Sequence, residues 1–506
     1  MTIPKEVKSI LSKLQKAGFE AYIVGGCVRD FLLERALPAG RQAKDWDVTT
    51  NAKPEEIQKV FPDPPKFSEE KIGRAGSFYK NDFFTVTILT GSKDPSLSEV
   101  EVTTYRSEAK YSDKRHPDEV KYAEKLEDDL SRRDFTVNAM ALRLRSGQAK
   151  KEVIDLYDGQ KDLDKKIIRT VGNPEERFNE DALRMLRAVR FATTLGFDIE
   201  EKTAEAIKKN SIWLEAISKE RIRDEFVKII MADKAADGIE LLRELGLLKY
   251  ILPELVENYG VAQNKHHIYD CYWHNVKSLE YAAKKKFNMY VRVASLLHDV
   301  GKAKSKVGAG NEATFYNHEM IGAKMVFQIL NRLKFSNNEI EKITKLVRYH
   351  QFYYNVDEVK ESSVRRLIKN VGPESIEELL QVRMADRIGS GVPKAEPYKL
   401  RHFKYLVDKV SKDPISVKML KINGNDLMQT LSIKPGPKIG QILDALLGVV
   451  LDDPKKNTKE FLGKEAKKLG KLPDKELQAL SEKSKEDKSE MQSQEDQVVK
   501  QKYWVK

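Results

Sequence analysis

Two features are scarce in this sequence, cysteine and long apolar runs, and each absence excludes a class of protein. Among 506 residues only Cys27 and Cys271 are cysteine, and they form no CxxC pair. Disulfide-stapled secreted domains and cysteine zinc sites need denser cysteine patterns, so neither is indicated. We therefore expect a protein of a reducing compartment, the cytoplasm.

No apolar run approaches the length of a membrane span. The longest, at residues 293–297 and 446–451, fall far short of the roughly 20 residues that cross a bilayer. The first residues also lack an apolar signal segment. We expect neither a membrane protein nor a secreted one.

The charge balance is basic, and the chain is long. Ninety Lys and Arg residues against 78 Asp and Glu give a net charge of +12, which favours a polyanionic partner such as a nucleic acid. Because single hydrophobic cores seldom grow beyond roughly 250 residues, the length predicts at least two cores.

The predicted elements divide into an α/β beginning and a helical remainder. Helices are predicted at 7–17 and 30–35, and strands at 20–24, 47–50, 83–89 and 99–105. From residue 179 onward, apolar residues recur at helical spacing, with helices predicted at 180–194, 222–231, 236–245, 276–284, 321–333, 340–350 and 375–384. After about residue 470 few apolar residues remain, and such a segment is expected to be disordered.

Two carboxylates flank Trp46 on one of these strands. Asp45 and Asp47 are two residues apart, so alternation along a strand points both side chains to one face. A divalent cation offsets their repulsion, and hard oxygen ligands suit Mg²⁺ that carries a nucleoside triphosphate. The alternative interpretation is that both carboxylates are simply solvated on an edge strand and hold no metal.

A glycine pair stands between the first strand and the helix that follows it. Gly25 and Gly26 form a turn that lets backbone N–H groups approach phosphates, and Arg29 adds a charged fork. Glycine pairs also mark ordinary turns. Together with the carboxylate strand, however, the turn predicts a triphosphate and metal site.

At these residues the sequence resembles a known family. The glycine pair, Arg29-Asp30 and the two carboxylates resemble the nucleotidyltransferase head of the polymerase β-like superfamily. Residues 130–141, which contain Arg-Arg-Asp-Phe-Thr, are similar to the RRDFTxNA segment of bacterial-type CCA-adding tRNA nucleotidyltransferases. The resemblance implies an α+β head at 1–165, then an all-α neck at 166–232 and an all-α body and tail at 233–465, with an HD domain at about 270–390. Residues 470–506 lie beyond it as the charged tail.

The third metal carboxylate has two candidates. The resemblance suggests Asp134, whereas Glu101 fits strand alternation equally well, because Val100 and Val102 flank it. The resemblance also implies that Arg133 and Asp134 position the sugar and triphosphate.

A second motif resembles the base-reading EDxxR segment of the same enzymes. Asp181, Arg184 and Arg187 lie three apart, on neighbouring turns of the predicted helix. A carboxylate only accepts and a guanidinium only donates, so the pair matches the amino group and ring nitrogen of cytosine or adenine and opposes uracil and guanine. The alternative is an ordinary salt bridge within a helix.

Histidines and aspartates of the body resemble the metal ligands of HD-domain phosphohydrolases. Imidazoles with carboxylates suit a transition metal or Mg²⁺. His318 and His350 extend the site to two metals, and Lys302 could contact phosphate. The alternative is a helical scaffold with capped or solvated histidines. The four principal ligands are His274, His298, Asp299 and Asp386.

The resemblance implies an enzyme that adds CTP and ATP to the 3′ end of tRNA with two Mg²⁺ ions and releases pyrophosphate. Arg365, Arg366 and the lysines of 455–468 would contact the tRNA backbone. Two alternatives stay open. One is a poly(A) polymerase, or an enzyme that adds only CC or only A; the other is an HD phosphohydrolase with an RNA-binding head.

Overall fold

In a computed structural model of the chain, the description covers residues 3–36, 46–62, 75–80, 84–109, 119–144, 151–263, 268–309, 312–356, 358–411 and 417–505. Asp45 lies outside these ranges. Within the described part of the chain, no helix is long and apolar enough to cross a membrane.

By its internal contacts the chain divides into two units. The first contains residues 1–350 and 381–392, and the second contains 351–380 and 393–506. The predicted domain boundaries at 165 and 232 fall within the first unit and stay predictions.

A seven-stranded mixed sheet forms the centre of the α/β part. Its strands are β1 (Ala21–Val24), β2 (Asp47–Thr50), β3 (Ala75–Lys80), β4 (Thr85–Thr90), β5 (Glu99–Thr104), β8 (Met140–Leu144) and β9 (Lys151–Asp155). They lie in the order β3-β4-β5-β2-β1-β8-β9, and only β2 and β5 pair in parallel among the neighbours in this sheet. A separate hairpin pairs β6 (Arg106–Ala109) with β7 (Glu119–Tyr122).

Burial along these elements follows their periodicity. The first helix buries residues at helical spacing on one face: Val7, Ile10, Leu11 and Leu14. β1 is buried along its whole length, as expected for a central strand covered on both faces, whereas β5 alternates between exposed and buried residues.

In its described residues the remainder of the first unit is helical, as predicted, apart from a two-residue parallel pair and the isolated bridges Phe135–Thr170 and Val307–Thr314. The pair joins β10 (Ile167–Ile168) to β11 (Asp198–Ile199). The helices that begin in this unit are α1 (Lys5–Lys16), α2 (Gly26–Ala36), α3 (Pro54–Val60), α4 (Leu126–Ser131), α5 (Gly159–Lys165), α6 (Pro174–Glu180), α7 (Leu183–Leu195), α8 (Glu201–Asn210), α9 (Lys219–Ile230), α10 (Ala235–Glu244), α11 (Leu248–Ile251), α12 (Pro253–Val256), α13 (Cys271–Lys284), α14 (Met289–Leu297), α15 (Lys302–Ser305), α16 (His318–Arg332) and α17 (Asn337–Tyr349).

The second unit is helical throughout its described residues, and α19 crosses from it back into the first unit. Its helices are α18 (Glu361–Val371), α19 (Ile376–Gly389), α20 (Tyr398–Ser411), α21 (Gly424–Leu431), α22 (Pro437–Asp452), α23 (Lys459–Leu469) and α24 (Asp474–Tyr503).

Helix α24 contradicts the expected disorder of residues 470–506. It packs along α22, where Leu477 is fully buried in the core of the second unit and Ser481 donates to Asp444 at 3.1 Å. Few apolar residues suffice because α22 supplies an apolar face and the small residue Gly448 lets the helices approach closely. Tertiary packing thus stabilises a helix that the composition of the segment alone does not favour.

Candidate active site

The glycine turn closes directly against charged side chains. Gly25 has φ +81°, in the region that favours glycine, and a Cβ built there would stand 3.2 Å from Arg133 Nη1 and 3.5 Å from Asp47 Oδ2. A side chain at Gly25 would therefore strain the backbone and crowd both charged groups. Gly26 begins α2, so the turn presents the N-terminus of that helix.

Strand register brings two carboxylates to one edge of the sheet. Asp47 is opposite Val24, the last residue before the turn, and opposite Glu101 on β5. Neighbouring residues in register point to the same face, so Asp47 and Glu101 share one. Asp47 is half-buried and Glu101 exposed, whereas Asp45 lies outside the described residues.

Asp134 has a different environment, because it is already engaged by protein donors. Its Oδ2 accepts from Arg187 Nε at 2.8 Å and lies 2.6 Å from Arg187 Nη2, and its Oδ1 accepts from the backbone N–H of Phe135 at 2.8 Å. Burial alone would raise the pKa of Asp134, but the Arg187 guanidinium outweighs it and lowers the pKa to about 2.

This ion pair predicts a stability effect with a defined pH window. A folded pKa of about 2 lies below the usual aspartate pKa of about 3.9, so the stabilisation is fully present above about pH 5 and is lost as the pH falls toward 2. Asp134→Asn should lower the free energy of unfolding at pH 7 by about 2 kcal/mol and flatten its dependence on pH below 4. Denaturant midpoints between pH 7 and about pH 2 measure both effects, with exposed Asp198→Asn as the control. An unchanged pH dependence in Asp134→Asn would contradict the assignment.

A cleft of about 980 Å³ is lined by most of the residues predicted to bind nucleotide or metal in the head and neck. Seven arginines and four aspartates are among its lining residues, so its surface favours an anionic ligand with a neutralising cation. Glu101 is not part of this lining. The lining residues are Gly25, Gly26, Cys27, Arg29, Asp30, Asp47, Arg132, Arg133, Asp134, Asn138, Asp181, Leu183, Arg184, Arg187, Arg190, Phe191 and Arg221.

The predicted helix 180–194 is broken within its motif, which corrects the expectation that Asp181 and Arg184 sit on successive turns of one helix. α6 ends at Glu180, Asp181 is extended, and α7 begins at Leu183. The Asp181 carboxylate accepts from the backbone N–H of Leu183 at 3.0 Å. Such a local bond competes with continued helix, which accounts for the break.

Asp181 and Arg184 face the same cleft, yet each is held by other partners. Asp181 accepts from Nη2 of Arg221 at 2.7 Å and from Nη1 at 3.3 Å. Arg184 donates to Glu180 at 2.5 Å and to the carbonyl of Arg132 at 3.0 Å. The motif residues are therefore fixed separately.

Three further cleft residues lie beside the predicted ones although none was predicted as a site residue: Arg221, Arg190 and Phe191. Arg221 lies 40 residues from Asp181 and meets it only through the packing of α7 against α9. Arg190 stacks over the ring of Phe191 at 4.0 Å and pairs with Glu225 of α9. No local spacing links Arg221 to Asp181, so only a contact map could have found it. Arg190 and Phe191 follow Arg187 by three and four residues on α7, and that helical spacing is a signal that could have found them.

The predicted histidine cluster is assembled in the first unit and is buried. His274 Nε2 lies 2.9 Å from His298 Nε2, 3.0 Å from Asp299 Oδ2 and 3.3 Å from Asp386 Oδ1. The ligand atoms of these four residues all lie within 4.8 Å of one another.

Asp299 links this group to a second one. Its Oδ1 lies 3.1 Å from His318 Nε2 and 3.4 Å from His350 Nε2, while its Oδ2 lies 2.6 Å from Lys302 Nζ. The Nδ1 atoms of His298, His318 and His350 each lie 2.7 to 2.8 Å from a backbone carbonyl. Donation from Nδ1 orients Nε2 toward the centre, as in metal sites.

Electrostatics favour a cation at this cluster. Burial alone would lower the pKa of His298, but the carboxylates of Asp299 and Asp386 raise it to about 10. Burial would raise the pKa of Asp299, yet Lys302 and His298 hold it well below the usual range. Bound protons therefore supply the positive charge that a divalent metal could replace.

Comparisons with known proteins match the chain from head to body. Residues 21–169 match the Poly A polymerase head domain, 196–258 the probable RNA and SrmB-binding site of polymerase A, and 315–466 the putative tRNA nucleotidyltransferase domain 2. The CCA-adding enzyme of Ligilactobacillus salivarius is 36% identical over 472 residues, which cover 92% of this chain and 98% of that protein. This protein belongs to the CCA-adding enzyme family. A second CCA-adding enzyme, from Lactococcus lactis, is 31% identical over 92% of this chain and 97% of its own.

Solved structures of CCA-adding enzymes have the same fold. The Bacillus stearothermophilus enzyme in complex with CTP has a TM-score of 0.53 at 26% identity, covering 92% of this chain and 98% of its own. The Thermotoga maritima enzyme complexed with tRNA has a TM-score of 0.50 at 19% identity, covering 92% and 95%, a likeness of fold alone. The predicted fold class and the resemblance are confirmed, and the chain is a nucleotidyltransferase.

Proposed function

We propose that this CCA-adding enzyme family member adds CTP and ATP to the 3′ end of tRNA without a nucleic-acid template and releases pyrophosphate. The observation that carries the proposal is one cleft that joins a glycine turn, a strand-end carboxylate and the Asp181 and Arg184 side chains. With tRNA as substrate, the reaction would take place in the cytoplasm.

In the reaction proposed, Asp45 and Asp47 hold two Mg²⁺ ions. When bound, Mg²⁺ would lower the pKa of the primer 3′-hydroxyl and neutralise the triphosphate. Of the two candidates for a third carboxylate we favour Glu101, because it is in register with Asp47, whereas Asp134 is committed to Arg187. Asp134 then holds the arginine in place, which is a positioning role.

The remaining cleft residues divide by chemistry. The backbone of Gly25 and Gly26, with Arg29 and Arg133, would bind phosphates and ribose. The base would be read by Asp181 as acceptor and Arg184 as donor, while Arg187 adds positive charge beside them. This pair of an acceptor and a donor would bind C and A and would disfavour U and G, which present the opposite groups.

The tRNA body is proposed to bind outside the cleft, through basic side chains of the second unit. Several of these are paired with acidic neighbours on their own helix, as Arg365 is with Glu361 and Lys464 with Glu460. Such contacts to phosphates would weaken as salt rises.

The deciding experiment incubates purified protein with tRNA that lacks its last three nucleotides, together with CTP, ATP, UTP and GTP, separately and combined. CTP alone should add two nucleotides, and CTP with ATP should add three and then stop. Continued addition of A would support a poly(A) polymerase instead, and addition of only CC or only A would support the partial enzymes. No incorporation at all would refute the proposal.

The buried histidine cluster supports a second candidate activity, metal-dependent phosphohydrolysis. We propose that His274, His298, Asp299 and Asp386 hold one divalent metal, and that Asp299, His318 and His350 extend the site to a second. Lys302, 2.6 Å from Asp299, would lie near a phosphate bound there.

This cluster predicts metal binding that is independent of nucleotide addition. Co²⁺, whose absorption reports its ligand geometry, should bind the wild type, and His298→Ala should weaken that binding by about 100-fold because a first ligand is lost. The same variant should lose hydrolysis of p-nitrophenyl phosphodiesters yet add CCA at the wild-type rate. His402→Ala, outside the cluster, is the control. Wild-type Co²⁺ spectra in His298→Ala would contradict the site.

A further inference from the structure

One buried carboxylate outside the cleft lining holds two of its arginines. Asp129, on α4, is 0% exposed. Its Oδ1 accepts from Arg132 Nε at 3.1 Å and Nη2 at 2.6 Å, and its Oδ2 accepts from Arg133 Nη2 at 3.1 Å. One anion therefore fixes two neighbouring guanidiniums.

Arg133 reaches from this carboxylate to the glycine turn. Its Nη2 bonds Asp129, while its Nη1 stands 3.2 Å from the position that a Cβ on Gly25 would take, beside Asp47 Oδ2. The Nη1 side of the Arg133 guanidinium is thus held beside Gly25 of the turn and Asp47 of β2, facing the cleft.

Asp129 is also linked by hydrogen bonds to β2, which carries Asp47, and, through Arg132, to the base-reading residue Arg184. The hydroxyl of Thr49, two residues after Asp47 on β2, lies 3.4 Å from Asp129 Oδ2. The backbone carbonyl of Arg132 accepts from Arg184 Nη2 at 3.0 Å. A shift of α4 at Asp129 would therefore move cleft residues of different kinds together.

The charges of Arg132 and Arg133 explain why a carboxylate, Asp129, is located between them. Two guanidiniums this close repel each other, and one would turn away into solvent without a shared counter-ion. Burial alone would raise the pKa of Asp129, but Arg132 and Arg133 lower it, so the carboxylate is ionised at neutral pH. Both arginines are then pre-oriented before any ligand arrives.

We infer that Asp129 is a positioning residue for the polyphosphate of the incoming nucleotide, which it serves by aiming Arg132 and Arg133 into the cleft. The inference rests on the proposed function for the identity of the ligand. It concerns the phosphates because the two arginines that Asp129 bonds line the cleft, and Arg133 does so beside the glycine turn.

The test compares Asp129→Asn, which keeps the shape and removes the charge, with Asp128→Asn on the exposed neighbouring position of the same helix. Asp129→Asn should raise the KM for CTP and for ATP, and the inhibition constant of inorganic pyrophosphate, each by roughly ten-fold or more, since charge-assisted contacts are lost. The tRNA dissociation constant should change less than about two-fold. Asp128→Asn should match the wild type.

Two outcomes with Asp129→Asn would overturn the inference. One is a folded Asp129→Asn protein with wild-type KM values and wild-type pyrophosphate inhibition. The other is an equal loss of tRNA and triphosphate affinity, which indicates a merely structural role. If Asp129→Asn does not fold, Asp129→Glu keeps the charge but displaces the oxygens by one methylene, and wild-type pyrophosphate inhibition in that variant would overturn it. A wild-type protein that does not extend tRNA would refute the proposed function instead, and pyrophosphate binding could still be compared.

Discussion

Asp47→Ala should reduce nucleotide addition by roughly a thousand-fold or more while tRNA affinity is retained, because losing a carboxylate that holds metal costs several kcal/mol of transition-state stabilisation. Asp47 lines the cleft at the start of β2 and lies beside the glycine turn. Single-turnover addition of CTP to shortened tRNA measures the rate, and gel shift measures tRNA binding. Near-normal addition at saturating Mg²⁺ would remove Asp47 from the active site.

The same assay separates the two candidates for the third carboxylate. Glu101→Gln is expected to approach the loss seen in Asp47→Ala and to be partly rescued by higher Mg²⁺, because Glu101 is in register with Asp47. Asp134→Asn is expected to be insensitive to Mg²⁺, because that carboxylate is occupied by Arg187. The reverse pattern would return the metal role to Asp134.

How far the sequence predicts this site depends on whether the signal is local. β2 begins at Asp47 and ends at Thr50 as predicted, and the glycine turn follows β1, because short-range alternation and turn chemistry decide both. The register that sets Glu101 beside Asp47 required the strand order, in which β5 inserts next to β2 across 50 residues of chain. Asp47 and Glu101 are brought together only by this strand pairing, so no short-range sequence pattern predicts that they are neighbours.

Two expectations were wrong, one because of a local side-chain hydrogen bond and the other because of tertiary packing. The apolar periodicity of 180–194 predicted one helix, but Asp181 uses its carboxylate to cap Leu183 and interrupts it. The polar composition of 470–506 predicted disorder, but Leu477 is buried in the core that includes the apolar face of α22, and Ser481 donates to Asp444 of α22. In both regions a single partner, a side-chain acceptor or a neighbouring helix, decides the conformation.

The interrupted helix changes how base selection should be tested. Replacing Asp181 by arginine alone would place two guanidiniums where Arg221 now meets a carboxylate at 2.7 Å, and the repulsion would confuse the result. The charge swap Asp181→Arg with Arg221→Asp keeps the ion pair and puts a donor where the base meets an acceptor.

In the swapped protein, preference should move from CTP toward UTP, because uracil presents a carbonyl where cytosine presents an amino group. A paired base contact is worth roughly 1 to 3 kcal/mol of discrimination, so the ratio of kcat/KM for CTP to that for UTP should fall by about ten-fold or more. Arg184→Ala should instead weaken CTP and ATP alike, since both bases use its donor.

The matched control is a swap of the exposed pair Lys209 and Glu175, which lie 2.7 Å apart, with Lys209→Glu and Glu175→Lys. It should leave the CTP to UTP ratio at the wild-type value. Single-nucleotide addition to tRNA that ends before the first C, with each triphosphate titrated separately, supplies the ratios. A folded, active protein carrying Asp181→Arg and Arg221→Asp that keeps the wild-type preference for CTP would mean that Asp181 does not read the base.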